Sequence, residues 1–127
     1  RETSIPFDEV VLECEVATTE GSEQEIRRAM QKSQERRRIT QPLGLPSCGS
    51  VFRNPEGESV GRLIENVGLK GALCGGAQIS ERPANFIVNK GGAKAVEVLS
   101  LIHAASDAVA ERYGVELVPE VRFLGFE

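Results

Sequence analysis

Hydrophobic residues recur along this chain with a period of two in some segments and a period near 3.6 in others. Near the N-terminus an apolar side chain occupies every second position, at Val10, Leu12, Cys14 and Val16. This alternation predicts a strand with one face on a core. Two short strands are expected around residues 78–80 and 85–88, and a final strand over residues 118–124 places Glu120 between apolar neighbours.

The first predicted helix begins at a capping box, because Ser22 is followed three residues later by Glu25. The helix runs to about Arg37, where its last turn is rich in cations. Its narrow inner face is formed by Ile26, Ala29, Met30 and Ser33. Residues 40–49, with the sequence TQPLGLPSCG, contain two prolines and two glycines and predict a loop.

Two further helices are expected downstream. Residues 60–67 carry apolar side chains at helical spacing and are followed by Gly68. The longest helix runs from about residue 93 to 113 and stops at Gly114. Its inward stripe is formed by Ala95, Leu99, Ile102, Ala105 and Val109. Strands and helices in this mixed order predict an α+β fold, a mostly antiparallel sheet with helices packed on one side.

Composition narrows the class of protein. The chain has 127 residues, 40% of them hydrophobic and 27% charged, as expected for one globular domain. A net charge of −4 argues against nucleic acid as a partner. The chain shows neither a membrane-spanning stretch nor a signal peptide, so we expect a cytoplasmic protein. Three cysteines at unrelated spacings predict neither a disulfide framework nor a metal site.

Ser50 is the residue that the sequence indicates as a candidate reactive group. It stands where the constrained loop changes into an apolar segment, between Gly49 and the core candidates Val51 and Phe52. A hydroxyl held by such rigid neighbours can face a cleft and react there. The alternative is that Ser50 only makes a local hydrogen bond in a turn.

Four other features have both a structural and a functional interpretation. The arginines at 36–38 form either a solvated helix end or a clamp for an anionic ligand. Glu120 is either a lone strand carboxylate or, if its strand faces the same cleft as the serine, an acid or electrostatic partner. The glycines at 75–76 suggest a phosphate-binding turn but lack its full pattern. His103 within the long helix is more simply explained by a structural role.

Several motifs occur in an order that resembles one family. QPLGLPSCGSVFRNP is followed by SVGRLIENVGLKG, then by GGAQIS and ANFIVN, and after the long helix by PEVRFLG. In this order and spacing, over nearly all of the chain, they resemble the C-terminal domain of UDP-N-acetylenolpyruvoylglucosamine reductase. Pro83 stands where that family frequently has a histidine.

The resemblance implies a flavoenzyme of peptidoglycan precursor synthesis. In this family NADPH reduces a bound FAD, and the flavin passes a hydride to UDP-N-acetylglucosamine enolpyruvate to form UDP-N-acetylmuramate. The flavin-binding domain is absent from this chain, so residues 1–127 would be the substrate-binding domain and would retain neither FAD nor NADPH. The expected partners are the substrate and the missing flavin-binding domain, with no nucleic acid and no membrane. The alternative is a stand-alone nucleotide-sugar-binding module that kept the fold and lost the chemistry.

The resemblance also assigns residues. Ser50 matches the family's proton donor, Glu120 matches the glutamate that stabilises the enol intermediate, and Arg1 matches the arginine of a YR-x-S segment. The residues expected to bind the substrate are Gly49, Arg53, Asn54, Asn85, Arg37 and Arg38. The last two of these are expected at the diphosphate, because guanidinium groups pair with phosphate oxygens.

Overall fold

The structure is a computed structural model that describes residues 4–6 and 8–125. Its centre is a four-stranded sheet made of β1 (Ser47–Ser50), β2 (Leu73–Cys74), β3 (Ala77–Ile79) and β4 (Phe86–Asn89). The strands lie in the order β1-β4-β3-β2, and all neighbouring pairs are antiparallel. The short strands predicted around residues 78–80 and 85–88 are confirmed as β3 and β4, whereas β2 was not predicted.

The helices of the described chain are α1 (Glu23–Thr40), α2 (Val60–Asn66) and α3 (Ala95–Tyr113). α3 lies against β2 and β3, and α2 packs beside α3. Gly68 and Gly114, which follow these two helices, have left-handed φ angles of 80° and 66°, and glycine adopts such angles without strain. The predicted α+β class is confirmed.

The sheet has one face on the hydrophobic core and one face away from it. Ala77 and Ile79 of β3 belong to the core, together with buried residues of α2 and α3. Successive strand residues point to opposite faces, so Gln78 lies on the other face. Val88 is paired directly with Gln78, and Phe86, two residues before Val88, therefore lies on the same outer face. The candidate site is found on this face.

The inward stripe predicted along α3 is confirmed from Ile102 onward. Ile102, Ala105 and Val109 are buried, and Leu101 is buried beside them. Ala95, at the start of the helix, is exposed. The helix therefore meets the core mainly through the part that begins two turns after its N-terminus.

The strand predicted near the N-terminus is wrong for this structure. Residues 10–16 have no regular secondary structure, and Leu12 is 91% exposed. A strand needs a neighbour to pair its backbone N–H and C=O groups, and the described sheet does not include this segment. The alternation of apolar residues is therefore not sufficient to form a strand here, since the described sheet offers this segment no neighbour.

α1 forms where the sequence predicts a helix, but its environment differs from the prediction. Ser22 is the N-cap residue, yet no side-chain cap hydrogen bond is present. None of the residues of α1 is buried, and Ile26 and Met30 of the predicted inner face are 51% and 56% exposed. The predicted capping box is therefore wrong, because its side-chain hydrogen bond is not formed. The predicted inner face is also wrong, because no described part of the chain covers this helix.

Two further predictions need correction. β1 begins at Ser47, inside the predicted loop over residues 40–49, because pairing with β4 overrides the local proline and glycine signal. The final strand predicted over residues 118–124 is reduced to one isolated bridge, between Phe52 and Pro119. The C-terminal tail nevertheless contacts the segment that follows β1, and this contact shapes the candidate site.

Candidate functional site

Ser50 ends β1 at an irregularity of the sheet. Ser47 pairs with Val88 and Ser50 pairs with Phe86, so three steps along β1 match only two steps along β4. Gly49 lies within this bulge and has a φ angle of 86°, a left-handed conformation that favours glycine. A bulge locally re-aims the side chains of its strand, which here affects the direction of the serine.

Ser50 lines an open cleft of about 710 Å³ on the outer face of the sheet. Of the residues predicted from the sequence, the cleft brings together Ser50, Glu120, Gly49 and Arg37. Arg37 comes from the last turn of α1 and Glu120 from the tail after α3. Three separate parts of the chain thus meet at the predicted serine.

Backbone hydrogen bonds tie Glu120 to the chain beside the serine. Val51 directly follows Ser50, and its carbonyl oxygen accepts a hydrogen bond of 2.8 Å from the N–H of Glu120. The N–H of Arg53 donates to the carbonyl oxygen of Val118 at 2.9 Å. These two bonds hold the C-terminal tail antiparallel to the segment that follows β1. The position of Glu120 is therefore set by the same segment that carries Ser50.

Other residues of the cleft were not predicted from the sequence. They are Gln41, Cys48, Phe86, Val121 and Arg122. Arg122 did have a signal, because it stands two residues after Glu120 in the strand predicted over residues 118–124, and alternate residues of a strand point to the same face. Phe86 follows from its pairing with Ser50, which only the sheet register reveals.

The cleft combines a hydroxyl, a carboxylate and two guanidinium groups, the last from Arg37 and Arg122. Guanidinium groups bind carboxylates and phosphates through paired, charge-assisted hydrogen bonds. A hydroxyl group can donate a proton, and a carboxylate can accept one, when it is positioned at a reacting atom. The arrangement can therefore bind an anionic ligand and exchange a proton with it.

The other predicted site residues are not among those that line the cleft. Arg38 lines a neighbouring groove of about 730 Å³, and Arg53 is exposed. The side-chain oxygen of Asn54 accepts a hydrogen bond of 3.1 Å from the backbone N–H of the first residue of α2. Asn85 is buried, and its side chain bonds to the backbone after β1. Arg1 lies outside the described residues.

The glycine-rich turn between β2 and β3 is occupied by a carboxylate of the chain itself. Oε2 of Glu97, in the first turn of α3, accepts hydrogen bonds from the N–H groups of Lys94 at 2.9 Å and Gly76 at 3.0 Å. These two N–H groups, that of Lys94 first, hold the pKa of Glu97 below its usual range. A Cβ atom at Gly75 would overlap the Glu97 carboxylate. The structure thus uses this turn to join the hairpin to α3, and a phosphate-binding role is not supported.

Three remaining observations concern His103, metal ligands and membrane-spanning helices. His103 is exposed on α3. Across residues 4–6 and 8–125, no group of three His, Cys, Asp or Glu side chains comes together as metal ligands. The helices in this part of the chain are too short or too polar to cross a membrane.

A family model for the C-terminal domain of UDP-N-acetylenolpyruvoylglucosamine reductase matches residues 41–124. The chain belongs to this family. The matched range contains every residue that lines the Ser50 cleft apart from Arg37. The resemblance inferred from the sequence motifs is thereby confirmed.

Relatives and a solved structure of the reductase family agree with this match. The UDP-N-acetylenolpyruvoylglucosamine reductase of Halalkalibacterium halodurans is 48% identical over 93% of this chain and 39% of its own length. That of Synechococcus sp. is 54% identical over 81% of this chain and 33% of its own length. The crystal structure of the reductase (MurB) from Thermus caldophilus matches with a TM-score of 0.62 and 42% identity, over 81% of this chain and 36% of that one. The chain spans well under half the length of these relatives.

Proposed function

We propose that this chain is the substrate-binding part of a UDP-N-acetylenolpyruvoylglucosamine reductase, with residues 1–127 forming that domain. The complete enzyme reduces the enolpyruvyl ether of UDP-N-acetylglucosamine enolpyruvate to UDP-N-acetylmuramate, in cytoplasmic synthesis of peptidoglycan precursors. The observation that carries the proposal is the cleft that unites Ser50 and Glu120 inside the matched family domain. The two residues are 70 positions apart in the sequence, so the fold, and not the local sequence, brings them together.

The glycine-rich turn between β2 and β3 is not proposed as a site for FAD. The glycine-rich turn that comes closest to a diphosphate cradle has its Gly76 N–H bonded to Glu97. We therefore assign FAD and NADPH to the rest of a longer polypeptide, the flavin-binding domain, which is the partner of this chain. When bound there, the flavin supplies the hydride.

Residues of this chain are assigned to stabilise the negative charge that hydride addition creates and to donate the proton that follows. Hydride addition to the enol ether places negative charge on the carbon next to the substrate carboxylate. We assign Ser50 as the donor of a proton to that carbon, with its hydroxyl then reprotonated by solvent. Glu120 lies in the same cleft and is assigned to the stabilisation of the enol-type intermediate, while Arg37 is suited to the anionic groups of the substrate.

The other predicted contacts remain part of the proposal. Arg53 and Asn54 are assigned to the nucleotide-sugar portion of the substrate, Arg38 to the diphosphate through the groove next to the cleft, and Gly49 to the cleft floor. Arg1 is assigned to the substrate carboxylate.

The exposed apolar residues near the N-terminus support the proposal that this chain belongs to a longer polypeptide. Val10, Leu12 and Val16 are exposed in a segment without regular secondary structure, and exposed apolar side chains are unfavourable in water. We assign the cover of this segment to the rest of the longer polypeptide.

The test uses the full-length enzyme and separates its two half-reactions. Ser50→Ala is expected to leave flavin reduction by NADPH unchanged and to slow flavin reoxidation by the enolpyruvyl substrate about 10²- to 10⁴-fold, the usual effect of removing a proton donor. Glu120→Gln is expected to slow the same half-reaction. Stopped-flow absorbance of the flavin measures both rates.

Ser100→Ala is the matched control. Ser100 is an exposed serine on α3 whose hydroxyl donates to the carbonyl oxygen of Val96, far from the cleft residues in sequence and absent from its lining. Both half-reactions should keep their normal rates in this variant. Normal reoxidation in Ser50→Ala would remove the serine from the chemistry and return it to a local role in the turn.

A further inference from the structure

Asn85 uses its side chain in the way that a backbone peptide group is used in a sheet. Its Oδ1 accepts a hydrogen bond of 2.9 Å from the N–H of Phe52, and its Nδ2 donates one of 2.8 Å to the carbonyl oxygen of Phe52. The carbonyl oxygen of Asn85 itself accepts a third bond, of 2.9 Å, from the N–H of Val51. Opposed residues of an antiparallel pair exchange N–H and C=O groups in the same manner. The carboxamide therefore extends the β1-β4 ladder beyond the end of β1.

The burial of this contact makes it hard to replace. Asn85 is 7% exposed and Phe52 is 2% exposed. Without the carboxamide, the N–H and C=O of Phe52 would lose their partners at a position that water reaches poorly. Buried backbone groups without partners are unfavourable, so the segment would move to satisfy them.

The segment held by Asn85 is also the one that connects the two candidate catalytic residues. Ser50 comes two residues before Phe52 in the chain. On the side of the segment that faces the tail, the carbonyl oxygen of Val51 accepts the bond from Glu120, and the N–H of Arg53 donates to the tail. A shift of Phe52 therefore changes the position of Ser50 relative to Glu120.

We propose that Asn85 is a positioning residue that holds Ser50 and Glu120 in the arrangement needed for proton delivery. This inference rests on the function proposed above for the cleft. Asn85 does not line the cleft, and both polar atoms of its side chain are bonded to Phe52. Asn85 acts through the backbone of Phe52. This positioning role replaces the substrate contact that was expected for Asn85 from the sequence.

Asn89, at the other end of β4, provides a matched control. Its Oδ1 accepts hydrogen bonds from the N–H groups of Gly91 at 2.8 Å and Ala93 at 3.1 Å. Like Asn85, it makes two side-chain bonds to backbone groups, but these bonds lead toward α3 and away from the serine. Asn89→Ala thus removes the same type of side chain and the same number of bonds without touching the segment after β1.

The first experiment measures amide hydrogen exchange in the 127-residue chain. Asn85→Ala is expected to speed exchange at Phe52 and Glu120 at least about tenfold more than Asn89→Ala does, because local protection depends on local hydrogen bonds. Asn89→Ala is expected to act at Ala93 instead. An equal acceleration at all amides in both variants would overturn the proposal, since it would show only a general loss of stability.

The second experiment uses the full-length enzyme. Asn85→Ala and Asn85→Asp are expected to slow flavin reoxidation by the enolpyruvyl substrate about 10²-fold, the effect of a misplaced reacting group. Flavin content, reduction by NADPH and the dissociation constant of the substrate should stay near their normal values. Asn85→Asp keeps the shape and one acceptor, so it remains informative where the alanine variant does not fold. Asn89→Ala should reoxidise normally.

Two outcomes separate the inference from the function on which it rests. Slow reoxidation in Ser50→Ala together with normal reoxidation in both Asn85 variants would overturn the positioning role alone. Normal reoxidation in Ser50→Ala would overturn the proposed function and, with it, this inference. An equal fall of flavin content and of both half-reactions in the Asn85 variants would show that the residue is structural only, which also overturns the positioning role.

Discussion

α1 and α3 are helices of 18 and 19 residues whose surroundings differ greatly. Both have a glutamate at the third helical position, Glu25 in α1 and Glu97 in α3, and both carry apolar side chains at helical spacing. α3 buries four residues and packs against two strands, whereas none of the residues of α1 is buried. The comparison shows that a periodic pattern is enough to predict a helix. A helix buries its apolar face only where another part of the protein packs against that face.

The two helices contribute differently to the site. α3 supports the sheet from the core side, through β2 and β3. α1 provides Arg37 to the cleft from an exposed last turn, in which the Nε of Arg37 lies 3.4 Å from the side-chain oxygen of Gln41. Arg37 is thus held by a more exposed part of the chain than Ser50 and Glu120 are.

The strongest test of the comparison exchanges the same residue type in both helices. Ile102 of α3 is 2% exposed, and Ile102→Ala is expected to lower the free energy of unfolding by about 2–5 kcal/mol, because it leaves a cavity in the core. Ile26→Ala in α1 is expected to change it by less than about 0.5 kcal/mol. Guanidinium chloride unfolding of the 127-residue chain measures both values.

Similar losses of unfolding free energy in the two variants would contradict the comparison, since they would show that α1 is packed in solution. Measuring the same two variants in the full-length enzyme extends the test. A cost for Ile26→Ala that appears only in the longer polypeptide would show that the rest of that polypeptide covers α1.

The second test concerns the backbone near the start of α3. A Cβ atom at Gly76 would lie 2.5 Å from the carbonyl oxygen of Gly91 and 2.6 Å from the backbone nitrogen of Ala93. Gly76→Ala is therefore expected to cost about 1–3 kcal/mol of stability, because backbone atoms have to move apart. Thermal and chemical unfolding of the chain measure this loss.

Gly44 is the matched control, since it lies in the segment just after α1. A Cβ atom there would have nothing within 4 Å, so Gly44→Ala should unfold like the parent chain. A harmless Gly76→Ala would show that the hairpin does not pack closely on the residues before α3.

The sequence predicted what local patterns determine. The existence of all three helices, the glycine ends of α2 and α3, and the strands β3 and β4 followed from periodicity and turn residues. The environment of residues 10–16 and of the α1 face could not be predicted, because it depends on whether another surface covers them.

The site divides in the same way. Ser50 and Glu120 could be predicted from motif resemblance, and the structure places both at one cleft. The contact between the tail and the segment after β1 joins residues almost 70 positions apart, and no local signal reports it. The role of Asn85 depends on the same segment and was likewise beyond the sequence.

The smallest expected effect concerns the two glutamates at the helix starts. Glu97 accepts hydrogen bonds from the N–H of Lys94, at the start of its own helix, and from the N–H of Gly76, in the β2-β3 turn. These bonds lower the pKa of Glu97 in the folded chain. α1 has no side-chain cap hydrogen bond. A carboxyl group with a lower pKa in the folded state is protonated first in the unfolded state as the pH falls. Its stabilising contribution is therefore complete at neutral pH and is lost progressively in acid, through the folded pKa.

Unfolding free energies measured from neutral pH down to acid test this difference. Below about pH 5, where an ordinary glutamate begins to titrate, the parent chain should lose stability more steeply than Glu97→Gln, because the glutamine removes this titration. Glu25→Gln should keep the steep slope of the parent chain. Equal slopes in the parent chain and Glu97→Gln would contradict the link between the turn and α3. A slope that changes instead in Glu25→Gln would place the stabilising helix start on α1, and the comparison of the two helices would be reversed.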